Sequence, residues 1–271
     1  GRGGDDGWWE PWSLWEAVCF CSCCLIPLAS GGMGMKIDHI EVVNLRFEYP
    51  GHGGFAGAGG RCTARVTSLV LVHTDTRQIG IGTAYSHPAI VHLVVKYQLE
   101  PMLRGREAGD VEGIWDLMYG LTRWYGRKGA AVSALGGVDT ALWDLRGKAA
   151  GKPVWQLLGG KVRDRIPAYA SGLFCKDRED VTQALVEEAR GYVDQGFRAM
   201  KMKVGFGEAY DVKNVAAVRE AIGPDVLFAV DANCGYDVGT AIDVGLKMAE
   251  SDLFWYEEPI VPDDVEGYLE I

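Results

Sequence analysis

Arg198-Ala199-Met200-Lys201-Met202-Lys203-Val204 is a short alternating segment that follows a helix-ending Gly196, and it sets two lysines on one side of an expected β-strand. Leu227-Phe228-Ala229-Val230-Asp231 and Phe254-Trp255-Tyr256-Glu257 repeat the pattern, followed by Ala232-Asn233 and Glu258-Pro259, and the same alternation sets Asp231 and Asn233 on one face. Lys203 and Asp231 stand 28 residues apart, Asp231 and Glu257 26 apart. That interval is about one strand, one helix and two short loops, so each charged group falls where a strand ends in a (β/α) barrel. In that architecture this face carries the chemistry.

Outward from these segments the alternation is strict. Strands are expected over 166–170, 198–204, 227–231 and 254–257, with helices over 180–195, 208–222 and 238–250 between them. Helical faces are visible at Val181, Leu185, Ala189 and Tyr192, and again at Val215, Val218 and Ile222; Gly223-Pro224 stops the second. Strands alternating with helices of this length predict an α/β chain with a parallel sheet. Four units fit before Ile271 where a closed barrel has eight, so the expectation is a TIM-type barrel cut short at its C-terminus.

The first half reads differently. Alternation from Lys36 to Phe47 is ended by Pro50, and two more strands, 65–73 and 79–85, complete an antiparallel meander. Between them, Gly51 to Gly60 reads as a mobile glycine-rich loop. Its Gly51, Gly53 and Ala56 satisfy G-x-G-x-x-A, but a strand follows instead of a helix, which argues against a dinucleotide site. Three helical faces come next: Val91, Val94, Val95 and Leu99; Val111, Ile114, Trp115 and Met118; Val132, Leu135, Val138, Leu142 and Leu145. Gly151-Lys152-Pro153 stops the third. The division read from this is an extension foreign to the fold over 1–34, an N-terminal α+β domain over 35–160, and a partial barrel over 161–271.

The chain has 271 residues, 48% hydrophobic and 24% charged, with a net charge of −10. That balance argues against nucleic acid or an anionic membrane surface as the main partner. Cys62, Cys175 and Cys234 are scattered, as in a reduced cytoplasmic protein. Cys19, Cys21, Cys23 and Cys24 crowd together without CxxC spacing or a nearby histidine, so no metal site is assigned there. The apolar run 17–29 is preceded by Asp5, Asp6, Glu10 and Glu16 where a secretory leader is basic, and secretion is not expected.

The charged groups at the strand ends suit one chemistry. Two neighbouring ammonium groups repel, which favours the neutral form of one and can bring a lysine toward the range of a general base. Asp231 and Glu257 offer hard oxygens suited to Mg²⁺. A lysine beside metal-binding carboxylates can remove a proton from the carbon next to a carboxylate while the metal stabilises the enediolate.

On these motifs, and on the linker Gly151-Lys152-Pro153-Val154-Trp155-Gln156-Leu157-Leu158-Gly159-Gly160, the sequence from Met35 onward resembles the enolase superfamily, specifically its mandelate racemase subgroup. The resemblance implies that the N-terminal domain caps a barrel. It implies Lys203 as the base, with Lys201 lowering its pKa and meeting the substrate carboxylate. It further implies Asp231 and Glu257 as two of three Mg²⁺ ligands and Asn233 as a hydrogen-bonding partner of a substrate hydroxyl. His52 and His87 are candidates for substrate contacts from loops. The third ligand and an opposite-face acid/base are expected beyond Ile271. The implied substrate is a small carboxylate, and the implied reaction acid-sugar (aldonate or aldarate) dehydration. The alternatives are a racemase or cycloisomerase of the same subgroup, or an inactive fragment. A cytoplasmic homo-oligomer is implied for the full-length protein.

Overall fold

Two sheets of opposite kind organise the chain. The computed structural model describes residues 34–50, 54–175 and 180–271; the cysteine cluster, the apolar run 17–29 and His52 lie outside the described residues. β1 (Ile37–Glu48), β4 (Ala64–Thr74) and β5 (Ile79–Ala84) form an antiparallel sheet in the order β1-β4-β5. The segment expected to be only a loop contains a second, small hairpin, β2 (Phe55–Gly57) with β3 (Gly60–Cys62). Phe55, Ala56 and Gly57 pair with Cys62, Arg61 and Gly60 across it.

Alternation in β4 turns Ser68, Val70, Val72 and Thr74 inward. The inward positions of β5 are Gly80, Gly82 and Ala84, small enough for a helix to lie against the strand. That helix is the last long one of a series: α1 (Pro88–Leu93), a π-helical turn (Val94–Leu99), α2 (Glu100–Leu103), α3 (Val111–Thr122), α4 (Ala130–Ala150) and the short α5 (Val154–Leu157). A methyl group at Gly82 would run into the Gly137 carbonyl of α4, and one at Gly80 into the Ala141 carbonyl. The π turn lies just before Pro101, which has no N–H to continue an α-helical ladder. It keeps Val91, Val95, Leu99 and Leu103, four residues apart, buried on one side.

The second sheet is parallel, in the order β6-β7-β8-β9: β6 (Ala170–Ser171), α6 (Val181–Asp194), β7 (Ala199–Lys203), α7 (Glu208–Ile222), β8 (Leu227–Asp231), α8 (Val238–Ala249), β9 (Leu253–Glu257) and α9 (Val265–Glu270). Met200, Met202, Phe228 and Val230 are buried in a core of their own, separate from the core beneath the antiparallel sheet. Full burial of a side chain of this size contributes about 1.5–3 kcal/mol.

Two expectations are corrected and one helix is added. The strand over 166–170 shrinks to Ala170–Ser171, with Ile166 82% exposed; Pro167 cannot donate to a ladder, and Pro is poorly tolerated inside a strand. Asn233 does not share a strand face with Asp231, because β8 ends at Asp231 and Asn233 turns left-handed with φ 45. A further helix, α9, follows β9, capped by Asp264, whose carboxylate accepts from the Gly267 N–H at 2.9 Å.

Candidate active site

In the parallel sheet Lys203 pairs in register with Asp231, and Asp231 with Glu257. Side chains from three adjacent strands therefore meet at one end of the sheet. Lys203 Nζ donates to Asp231 Oδ2 at 2.6 Å, and Lys201 Nζ lies 3.1 Å from the same oxygen and 2.7 Å from Glu257 Oε1. The two lysines do share a face, as strand alternation requires. Asp231 is 2% exposed and Lys201 7%.

Carboxylates join the two neighbouring ammonium groups. Burial disfavours the Lys201 ammonium, but its bonds to Glu257 and Asp231 outweigh that, and its pKa is raised. For Asp231, burial pushes the carboxyl up while Lys203, the Asn233 backbone N–H and Lys201 together hold it below the ordinary carboxylate range. The lysine charges are thus balanced by carboxylates as well as set against each other.

Two carboxylates bridged by one ammonium make a donor set that suits a hard divalent cation, which binds through one or two carboxylates plus substrate oxygens and water. Among the described residues no group of three His, Cys, Asp or Glu gathers as a metal site.

Asn233 stays beside the cluster despite its turn. Its N–H donates to Asp231 Oδ1 at 2.9 Å, and its side-chain amide to Glu258 Oε2 at 3.4 Å. Glu258 itself is exposed and lies outside β9, so Glu257 is the residue in register with Asp231. His87 is not brought to the lysines; its carbonyl accepts from Ile90 and Val91 at the start of α1, and its side chain is exposed.

Aromatic groups that sequence reasoning missed surround the charges. Trp255 Nε1 donates to Glu257 Oε2 at 3.0 Å, Tyr169 packs edge-on against Trp255 at 5.2 Å, and Lys201 Nζ stands 5.7 Å from the Tyr169 ring. Trp255 was findable, since it lies two residues before Glu257 on the same strand face. Phe174, 6.0 Å from Lys203 Nζ, was not, because it follows Leu173, whose φ of 52 breaks the alternation.

The small hairpin of the antiparallel half reaches this end of the sheet. Phe55 packs on Phe174 at 4.7 Å, Ala56 pairs with Cys175, and a methyl group at Gly57 would come within 2.8 Å of Asn233 Oδ1.

Comparison with known proteins agrees with this geometry. Residues 58–159 match the family described as Mandelate racemase / muconate lactonizing enzyme, N-terminal domain, and residues 184–271 that described as Enolase C-terminal domain-like. The D-galactarolactone cycloisomerase of Agrobacterium fabrum is 37% identical over 217 residues, which are 80% of this chain and 57% of the relative. The arabinonate dehydratase of Saccharolobus solfataricus is 36% identical over 195 residues, 71% of this chain and 52% of the relative. Among solved structures, the 3,6-anhydro-D-galactonate cycloisomerase of Zobellia galactanivorans superposes with a TM-score of 0.76 at 35% identity, covering 86% of this chain and 61% of its own. A racemase from Streptomyces coelicolor with bound magnesium gives 0.78 at 34%, covering 86% and 65%. The chain spans little more than half the length of these two curated relatives. Its antiparallel half answers to the N-terminal part of one architecture and its parallel sheet to the C-terminal part, so the chain belongs to the mandelate racemase/muconate lactonizing enzyme family of the enolase superfamily.

Proposed function

We propose that the chain carries the proton-abstracting part of a Mg²⁺-dependent acid-sugar dehydratase acting on an aldonate or aldarate. The observation that carries this reading is the meeting of Lys201, Lys203, Asp231 and Glu257 at the ends of three adjacent strands. Asp231 and Glu257 would hold the metal, which would supply positive charge against the developing charge of the substrate carboxylate. Trp255 fixes one oxygen of Glu257 through its indole N–H.

Lys203, whose Nζ stands 2.6 Å from Asp231 Oδ2, accepts the α-proton. Lys201 meets the substrate carboxylate, and Asn233 hydrogen-bonds a substrate hydroxyl. Phe174 and Phe55 exclude water from that side of Lys203. A second reading, a cycloisomerase, shares this proton abstraction; the 37% identity to D-galactarolactone cycloisomerase favours it over the racemase. Free Cys62, Cys175 and Cys234 are consistent with a reducing compartment such as the cytoplasm. No helix among the described residues is long and apolar enough to cross a membrane.

The test is metal-dependent turnover of sugar acids by the protein expressed from its full reading frame. Glu257→Gln and Asp231→Asn should each abolish it with the fold retained, while Glu258→Gln should leave metal dependence in place. If Glu258→Gln proved the more damaging of the glutamate changes, the assignment of Glu257 would be wrong.

A further inference from the structure

Directly after β7 the chain turns through Gly205, Phe206 and Gly207, and all three N–H groups point at one carboxylate. Asp211, in the first turn of α7 and fully buried, accepts from Gly205 at 3.2 Å, Phe206 at 3.1 Å and Gly207 at 3.0 Å. On its own this is a local turn anchor. Its fourth partner changes the reading. Tyr236, from the loop after β8, donates its hydroxyl to Asp211 Oδ2 at 2.6 Å and accepts from the Gly205 N–H at 3.0 Å.

The loops that follow Lys203 and Asp231 are thereby tied together, and two glycines meet where they touch. A methyl group at Gly235 would come within 3.1 Å of Gly205 Cα. Both glycines also face the tip of the small hairpin: a methyl at Gly205 would approach Ala58 Cβ to 2.8 Å, and one at Gly235 to 2.7 Å. The tip of the hairpin thus rests in a notch that exists only because neither position carries a side chain.

We propose that Asp211 and Tyr236 are positioning residues: they hold Gly205 and Gly235 together as a seat for Ala58, and so fix the hairpin over Lys203 and Asn233. The catalytic meaning rests on the function proposed above; the seat does not. Phe55 against Phe174, Ala56 against Cys175 and Gly57 against Asn233 are the further contacts that the seat keeps in register.

Amide hydrogen exchange of the full chain tests this without substrate. Peptides covering β2–β3 are compared with peptides covering α3 and α4 in the wild type, in Tyr236→Phe, in Gly235→Ala, and in Gly235→Ala combined with Ala58→Gly. Tyr236→Phe and Gly235→Ala should each speed exchange in the hairpin by about ten-fold or more, the signature of a local opening, with α3 and α4 unchanged. Ala58→Gly should recover part of the protection lost in Gly235→Ala, because it removes the Ala58 methyl, the nearest of the three atoms that the new side chain meets, while the Ala232 carbonyl and Gly205 Cα remain. Unchanged hairpin exchange in both single variants would overturn the proposal, as would faster exchange confined to the parallel-sheet half, which would leave Tyr236 a purely structural role. Absence of recovery by Ala58→Gly would also overturn it. If Tyr236→Phe does not fold, the two glycine-site variants decide alone. No arm measures turnover, so failure here leaves the Lys203 assignment standing, and failure of that assignment leaves the seat intact.

Discussion

Both halves of the molecule bury a carboxylate between two cations, and the two arrangements differ in where the cations come from. In the antiparallel half Glu100 is bonded by Lys96 and Arg104, each four residues away on one helical stretch, and Lys96 also reaches the Ile40 carbonyl. In the parallel half Asp231 is bonded by Lys201 and Lys203 of a neighbouring strand, 28 residues earlier in the nearer case. The first cluster is what an i, i+4 ladder gives and ties a helix to β1. The second is assembled only when three strands come into register. Charge gathered from several strands at one end of a parallel sheet signals a site; charge gathered along one helix signals a fold.

The comparison predicts unequal costs. Asp231→Ala strands Lys203, whose side chain is 14% exposed, and leaves Lys201, 9% exposed, with Glu257 alone; it should cost about 3–5 kcal/mol in urea unfolding, as removal of one partner of a buried pair does. Gly82→Ala, which drives a methyl group into the α4 backbone, should cost about 1–3 kcal/mol through overpacking of the antiparallel half. Glu100→Ala should cost about 1 kcal/mol, since the Lys96 and Arg104 side chains are 34% and 61% exposed and can return to water. Lys128→Ala, which removes an exposed ion pair with Asp263, should cost less than about 0.5 kcal/mol. Equal costs for Asp231→Ala and Glu100→Ala would break the distinction.

Acid sharpens it. The Asp231 carboxyl is held below its ordinary pKa, so its stabilisation is present above the unfolded value and lost as pH falls through the folded one. The stability gap between wild type and Asp231→Asn should therefore be widest near neutral pH and close on acidification. A gap that widens in acid would contradict the direction of the shift.

Much of this was legible in the sequence because period and spacing report backbone geometry. The intervals from Lys203 to Asp231 to Glu257 located the strand ends, and β8 was read at its observed bounds, Leu227–Asp231. What escaped the sequence depends on contacts between distant segments or on single backbone angles. Asn233 was assigned to the wrong geometry because a left-handed residue carries no periodic signal. Repulsion between Lys201 and Lys203 was foreseen, but the compensating bond to Glu257 was not, since it spans 56 residues and appears only once the strands pair. The hairpin at 55–62 was obscured by its glycines, which read as a loop although two of them, Gly57 and Gly60, pair across it.

The central claim is that Lys203 removes the α-proton. Its most direct test follows the α-proton signal of a sugar acid by NMR in D₂O with Mg²⁺, using the protein expressed from its full reading frame and its Lys203→Ala variant. The account predicts that the wild type removes the α-proton signal and places solvent deuterium at the neighbouring carbon that loses its hydroxyl, and that Lys203→Ala does neither, while both bind Mg²⁺ alike because no ligand has been removed. Undiminished deuterium incorporation in the Lys203→Ala protein would contradict it.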